Sequence, residues 1–348
     1  MNSDIFPAFY LSAVTPLGFV SRLSSLCDRS RLEHVYLLKG GSRSLRSQFI
    51  LDAAAHAENF SKEAALVPSA LERDKFEAAF WDNTAVIDAA PPYCIEPLIP
   101  SAFEDVLWLG GCYKKELRHK LPEFIELKNC EDELTEQSRK LLFAADELLK
   151  DNGRAALCCT DTDKIELQAA RTAKKYLKPS KKSIISCVSR PAFGIRKFDL
   201  PYDFSLILLQ DIHGGCAQLY LKKLFGEAKR LKSEIIVCYS PFAPYSMIDI
   251  LLIPDAKICF AAESENILFS KPADKIINAR RFTDNQKLSR ISAHLKQNRK
   301  AAQQLYFRSK QYFEEACCCR HKMEEIYSYF FDTTSFDKIR QSFFANIM

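Results

Sequence analysis

Apolar residues along this chain fall into short runs of strand length that alternate with longer stretches of helical period. In the first half, the predicted strands are residues 35–39, 64–67 and 85–88, and the predicted helices are residues 47–56, 112–150 and 163–176. The sequence Asp-Asn-Gly at 151–153 predicts the end of the second helix. Alternating strands and helices predict an α/β fold with a parallel sheet covered on both faces, which binds ligands at the carboxyl ends of its strands.

The second half of the chain repeats the first at a nearly constant offset. Residues 185–189 resemble residues 11–15, and residues 336–339 resemble residues 162–165, in both cases at an offset of 174. Twice 174 is the full length of 348 residues. We interpret this as a tandem duplication, since one offset persists from the first match to the last.

Composition and charge narrow the class of protein. A hydrophobic content of 47% and a charged content of 27% are those of a soluble globular protein, and 348 residues suit two domains. A net charge of +5, spread among acidic residues, does not favour a nucleic-acid partner. The chain has neither an apolar run near the roughly 20 residues of a membrane span nor a signal peptide. With 13 irregularly spaced cysteines, we expect reduced thiols and a cytoplasmic location.

The candidate chemistry lies where the first strong strand meets the following helix. The strand ends in Gly40 and Gly41, and the phosphate-binding loop pattern G-x-x-x-x-G-K-S/T can be counted from Gly40. Gly40 and Ser47 fit this pattern, whereas Leu45 and Arg46 stand at the second Gly and the Lys. The order of strand, loop and helix is that of a site where backbone N–H groups bind phosphate.

Several segments together resemble a known family, the uncharacterised bacterial proteins with two tandem P-loop domains that are usually labelled ATPase or nucleotide kinase-like. Its pattern opens with T-x-x-G-F/Y, continues with L-K-G-G-P-G-T-G-K-S and V-D-G-T-A-P-H-x-I-E-P, and then has N-L-G. The corresponding segments here are residues 15–19, 38–47, 87–97 and 108–110. The family ends in a helix with a His-x-x-Glu-x-x-Tyr pattern and an Asp-Phe turn. The chain is similar there, with His-x-x-Glu-x-x-Tyr at 321–327 and Ser-Phe-Asp at 335–337.

The resemblance implies two tandem P-loop NTPase-like three-layer α/β/α domains with helical C-terminal extensions. The repeat offset places them at 1–180 and 181–348, and residues 178–182 have the composition of a linker. It also implies a nucleotide ligand, ATP with Mg²⁺, in the first domain. The expected nucleotide-binding residues are Gly40, Gly41, Ser42, Arg43, Ser44, Arg46, Ser47 and Asp88. Ser47 and Asp88 are the candidate Mg²⁺ ligands, the Asp acting through water.

The chain departs from this pattern in ways that predict loss of activity. Leu45 puts a branched side chain where the second Gly lets the backbone approach phosphate, and Arg46 keeps the charge of the Lys but not its shape. The second loop, residues 211–218, has Gly214-Gly215-Cys216-Ala217, and Ala261 is expected where Asp88 would repeat. Asp211 at that loop would repel phosphate.

Two functional interpretations remain open at this stage. The first is a non-catalytic or weakly nucleotide-binding relative, whose paired domains serve as a binding or scaffolding module. The second is an active ATPase or small-molecule kinase that uses the first domain. Cysteines 317–319 and His321 are interpreted as helix packing, because adjacent residues on a helix point in different directions and zinc sites need spaced pairs.

Overall fold

The computed structural model describes residues 9–27, 32–60, 62–72, 74–180 and 184–347. The protein is a mixed α/β structure with a helical C-terminus. The chain packs as two units: the first comprises Met1–Ser12, Ser21–Ser138 and Gln311–Met348, and the second comprises Ala13–Val20 and Arg139–Lys310. The predicted domain limits of 1–180 and 181–348 stay a prediction, because a division by packing does not identify sequence repeats. Residues 181 and 182 of the predicted linker lie outside the described residues.

The strands in chain order are β1 Ser12–Thr15, β2 Gly18–Ser21, β3 His34–Lys39, β4 Ala65–Pro68, β5 Phe76–Trp81, β6 Thr84–Asp88, β7 Glu104–Trp108, β8 Ile185–Val188, β9 Arg196–Phe198, β10 Ser205–Gln210, β11 Ile236–Tyr239, β12 Ile248–Ile253, β13 Ile258–Ala262, β14 Ile267–Phe269 and β15 Lys275–Asn278. The α-helices are α1 Leu23–Leu26, α2 Arg43–Asn59, α3 Leu121–Leu157, α4 Thr162–Tyr176, α5 Gly215–Leu231, α6 Asn285–Tyr329 and α7 Thr333–Asn346. These helices all lack the long apolar stretch that a membrane crossing would need, as far as the described residues extend.

The two larger sheets have the same strand order. The sheet of the first unit runs β4-β5-β6-β3-β7, and that of the second runs β8-β11-β12-β13-β10-β15. In each, the strand next to one edge is parallel to both of its neighbours: β3 to β6 and β7, and β10 to β13 and β15. The sheets therefore match strand for strand, apart from β8, which extends the second.

The prediction of a wholly parallel sheet was wrong, because both sheets are mixed. β5 runs antiparallel between β4 and β6, and β12 runs antiparallel between β11 and β13. Only Asp82 and Asn83 connect β5 to β6. A two-residue connection can join antiparallel strands, whereas a parallel pair needs a long crossover, so this short turn fixes the direction of β5.

The predicted break at residues 151–153 was also wrong, since α3 continues to Leu157. This part of α3 packs closely against the start of α5 within the second unit: a β-carbon added to Gly215 would lie only 2.4 Å from the Gly153 carbonyl oxygen. Asn152 is buried and its side-chain amide donates to the Leu295 carbonyl oxygen at 2.9 Å. Tertiary contacts thus outweigh the low helix propensity of Asn and Gly.

Each unit has its own apolar core. In the first, Phe49 of α2 is fully buried and packs against two phenylalanines of α7, with ring centroids 6.1 Å from Phe336 and 5.1 Å from Phe343. In the second, Tyr220 of α5 lies beside Phe260 of β13. The packing of α2 against the sheet and α7 fixes the position of the loop that begins α2.

Candidate functional site

The first loop is a tight connection of three residues between β3 and α2. Gly40 and Gly41 have φ values of +74° and +68°, which favour glycine. A β-carbon on Gly40 would lie 2.7 Å from the backbone nitrogen of Gly110. Gly40 is therefore required by its own conformation and by the close approach of the segment after β7. These two constraints explain a glycine at the first position of the pattern, whether or not a ligand binds there.

The helix begins too early for the expected phosphate-binding loop. α2 starts at Arg43, with Ser42 as its N-cap, four residues before the helix predicted from Ser47. Leu45, Arg46 and Ser47 consequently lie within the helix. In a P-loop the residues between the two glycines form an open loop whose N–H groups surround phosphate. Here part of that segment is helical, so the loop is shortened.

The N-terminus of α2 is closed by a carboxylate from the C-terminal part of the same unit. The backbone N–H of Arg43 donates to Glu324 Oε1 at 2.9 Å, and that of Ser44 lies 3.4 and 3.3 Å from the two Glu324 oxygens. A negative charge is favourable here because the first N–H groups of a helix are unpaired and carry the positive end of its dipole. Glu324 therefore occupies the place of an anion.

The neighbouring N–H groups are also bonded within the chain. The Ser42 N–H donates to the Tyr113 hydroxyl at 3.0 Å, and the Leu45 N–H donates to Ser42 Oγ at 3.2 Å. The Arg46 N–H donates to the Ser42 carbonyl oxygen at 3.2 Å. From Ser42 to Arg46, every backbone N–H thus has a partner in the protein.

Arg46 and Asp88 are brought together, as a buried ion pair. Arg46 Nε lies 2.7 Å from Asp88 Oδ1, and the two residues are 5% and 1% exposed. Arg46 Nη1 donates to the carbonyl oxygens of Gly41 at 2.6 Å and Gly40 at 3.3 Å. Asp88 Oδ1 also accepts the Ala90 N–H at 3.0 Å. Burial raises the pKa of Asp88 above its ordinary value, and the Arg46 guanidinium opposes that rise.

The remaining predicted site residues have other partners. Ser47 Oγ accepts the Phe76 N–H at 2.9 Å, at the start of β5. Ser44 Oγ accepts from Lys75 Nζ at 2.7 Å. Among the described residues, no group of three or more His, Cys, Asp or Glu is arranged to hold a metal ion. With Asp88 paired to Arg46, the expected Ser47 and Asp88 pair does not fit a Mg²⁺ site in this arrangement.

A second buried carboxylate, which the sequence did not indicate, lies beside this pair. Glu77 is fully buried on β5, and its Oε2 accepts the Tyr93 hydroxyl at 3.0 Å. Ala78 pairs with Ile87 across β5 and β6, so Glu77 and Asp88 come next to each other. Burial, reinforced by the Asp88 charge, raises the pKa of Glu77 to about 8, although hydrogen bonds and Arg43 oppose the rise.

The second loop is closed by its own carboxylate. Asp211 Oδ1 accepts the His213 N–H at 3.1 Å, and Oδ2 accepts the Ala217 N–H at 3.0 Å. Gly214 has a φ of +77°, and Gly215 is the first residue of α5. The sequence therefore placed the turn correctly at Gly214, whereas Gly215 already belongs to the helix. Asp211 binds the helix N-terminus itself rather than facing an incoming phosphate.

Strand register identifies the equivalent positions of the two sheets. Leu38 pairs with Asp88, and Leu209 pairs with Ala262. The residue at the position of Asp88 is therefore Ala262 and not Ala261, as the sequence had suggested. Neither of these two alanines has a carboxylate.

The same register makes Asp249, which precedes Ile250 on β12, the equivalent of Glu77 on β5. Ser189 Oγ donates to Asp249 Oδ2 at 2.6 Å. Burial raises the pKa of Asp249, and the nearby Arg190 opposes the rise. A buried carboxylate at the start of the antiparallel strand thus recurs in both sheets.

Sequence reasoning found the loop and the Asp88 strand but missed the groups that close the loop. The one available signal was the His-x-x-Glu-x-x-Tyr segment, whose Glu is Glu324 and whose Tyr, Tyr327, lies 5.2 Å from the Tyr113 ring. No family model, curated protein or solved structure matches this chain.

Proposed function

We propose that the chain is a degenerate relative of the P-loop NTPases, with two tandem P-loop-like three-layer domains that bind no nucleotide productively, and that it acts as a non-catalytic binding or scaffolding module. The observation that carries this proposal is the internal pairing of the first loop. The N–H groups of Arg43 and Ser44, which a phosphate would need, bind the Glu324 carboxylate instead.

The charged side chains support the same conclusion. Arg46, at the position of the phosphate-binding Lys, is engaged by Asp88 and by two backbone carbonyl oxygens. Phosphoryl transfer depends on positioning and charge stabilisation, and a guanidinium held in a buried ion pair cannot reach a γ-phosphate without breaking that pair. A Mg²⁺-nucleotide therefore does not fit the residues as they are arranged.

The matching strand orders support a tandem duplication, and the carboxylate in each loop supports loss of both sites. Asp211 closes the second loop through two backbone hydrogen bonds, as Glu324 closes the first. Since the two carboxylates come from different places in the chain, the two loops lost their sites independently in this account.

Equilibrium dialysis of the unmodified protein against labelled ATP, with and without Mg²⁺, tests the proposal. We expect no saturable binding at either loop and no phosphate release above the protein-free rate. The matched variant Glu324→Gln removes the charge while keeping the shape and serves as the comparison. Saturable Mg²⁺-dependent binding with turnover by the unmodified protein would favour the ATPase or small-molecule kinase interpretation and overturn the proposal.

A further inference from the structure

Two thiols lie side by side where α3 and α6 pack within the first unit. Cys319 Sγ on α6 is 3.5 Å from Cys130 Sγ on α3. Cys130 is exposed, and Cys319 is only 8% exposed. The adjacent Cys318 is exposed as well but points elsewhere on α6, because successive residues of a helix lie about 100° apart.

Contacts on either side hold the two helices in this register. Arg320 Nε lies 3.1 Å from Glu131 Oε1, and both side chains are largely buried, at 9% and 14% exposure. The rings of Phe124 and Tyr327 have centroids 4.8 Å apart. The residues next to each cysteine therefore pair with one another, and the proximity of the two sulfur atoms is part of an ordered interface between the helices.

We propose that Cys130 and Cys319 are a redox-sensitive pair that forms a disulfide between α3 and α6 on reaction with a low-molecular-weight disulfide such as oxidised glutathione. The two sulfur atoms need to approach by about 1.5 Å to reach the 2.05 Å of a disulfide bond. A disulfide between two helices restrains both, in contrast to one between neighbours on a single helix.

The exchange takes two steps. The Cys130 thiolate attacks one sulfur of the reagent, forming a mixed disulfide and releasing one glutathione thiolate. Cys319, as its thiolate, then attacks the Cys130 sulfur and releases the second. The two protein thiols lose two electrons and two protons, the reagent gains both electrons, and the protons end on the two released thiols.

The environments of the two thiols assign the order of these steps. Burial, with a contribution from Cys130, raises the pKa of Cys319 to about 11. Little of Cys319 is thiolate at neutral pH, and the exposed Cys130 is the sulfur that the reagent can reach. Cys130 is therefore the attacking thiol, and Cys319 resolves the mixed disulfide.

The disulfide would restrain the segment of α6 that carries Glu324, and so hold this carboxylate against the N-terminus of α2. This consequence rests on the proposed function, whereas formation of the disulfide does not. Oxidation would then make the closed state of the first loop more persistent, and reduction would make it less so.

Peptide mapping without reduction tests the disulfide. The full-length protein is incubated with oxidised glutathione, blocked with an alkylating reagent, digested and analysed by mass spectrometry. We expect a cross-linked peptide pair containing Cys130 and Cys319, absent from Cys319→Ser and retained in the matched control Cys318→Ser. In Cys319→Ser we expect Cys130 to accumulate as its glutathione adduct. A stable Cys130 adduct without the cross-link in the unmodified protein would overturn the proposal, as would equal cross-linking to Cys318.

Hydrogen exchange tests whether the disulfide, once formed, holds Glu324 more persistently against the N-terminus of α2. In the oxidised protein we expect slower exchange of the Arg43 and Ser44 amides than in the reduced protein, and no such difference in Cys319→Ser. A disulfide that forms without slowing these amides would overturn the link to the loop. That result would leave the ATP-binding test of the proposed function unaffected, so the two failures can be told apart.

Discussion

Replacing Arg46 by Ala tests whether the Arg46–Asp88 ion pair stabilises the fold or whether these side chains are kept for a ligand. The change leaves the Asp88 carboxylate, 1% exposed, without its guanidinium partner. It also removes the donor to the carbonyl oxygens of Gly40 and Gly41. Breaking a buried ion pair by removing one partner costs about 3–5 kcal/mol. Because two further acceptors lose their donor, we expect a cost at the upper end of that range.

The reciprocal change and the double change separate the cost of the unpaired charge from the cost of the unpaired backbone groups. Asp88→Ala leaves Arg46 with two backbone acceptors, so we expect a smaller loss, about 3 kcal/mol. The combination of Arg46→Ala with Asp88→Ala removes both charges, and we expect it to cost only about 3 kcal/mol, since the remaining penalty is that of unpaired backbone groups. The two changes should therefore be strongly non-additive.

Urea unfolding followed by circular dichroism measures these free energies. Lys120→Ala is a control, because Lys120 pairs with Glu123 at 2.9 Å but both side chains are about half exposed. An exposed pair contributes at most about 1 kcal/mol. If Arg46→Ala cost less than about 1 kcal/mol, or if the double change cost the sum of the single ones, the ion pair would not stabilise the fold. The interpretation of Arg46 as a structural residue of the first loop would then be wrong.

Three further variants test neighbouring parts of the account. Glu324→Ala should cost about 2–3 kcal/mol in the same unfolding assay, because the charge-assisted hydrogen bonds from the Arg43 and Ser44 N–H groups are lost. The exposed neighbour gives the control, since Glu325→Ala should cost less than about 0.5 kcal/mol. Equal costs would refute the role of Glu324. The pKa of Glu77 is about 8 in the folded protein against an ordinary 4.5, so the folded state binds this proton more tightly than the unfolded state does. The contribution of Glu77 to the free energy of unfolding is therefore complete below pH 4.5. It falls as pH rises towards 8, by up to about 5 kcal/mol. Glu77→Gln should remove this fall, and an unchanged pH profile would contradict it. Gly40→Ala should destabilise by more than about 2 kcal/mol because of its positive φ and the nearby Gly110 backbone, while Gly111→Ala, with open space around it, should cost about 1 kcal/mol or less; similar costs would argue against the close approach.

Local patterns predicted the elements that carry the first loop. The apolar run before Gly40, the helix after it and the strand ending at Asp88 are all present, because their signals lie in consecutive residues. β5 was missed, since Phe76–Trp81 does not alternate between apolar and polar residues, and its omission led to the wrong prediction of a parallel sheet.

The partners of the loop could not be predicted from local patterns. Glu324 meets Arg43 across a sequence separation of 281 residues, and only the packing of the C-terminal helices brings it there. Nothing in the sequence near Arg46 shows that its charge is neutralised by Asp88 rather than presented to a ligand. The sequence thus identified a phosphate-binding pattern, while tertiary contacts decided that its donors are used within the protein.

Hydrogen exchange of the backbone amides of Ser42, Arg43, Ser44 and Leu45 tests the central claim most directly. In the unmodified protein we predict that all four amides are protected and that adding Mg²⁺-ATP changes none of them. In Glu324→Ala, the Arg43 and Ser44 amides should lose their protection, while Ser42 and Leu45 keep theirs through Tyr113 and the Ser42 hydroxyl. Amides that exchange freely in the unmodified protein and become protected only when Mg²⁺-ATP is added would contradict the account.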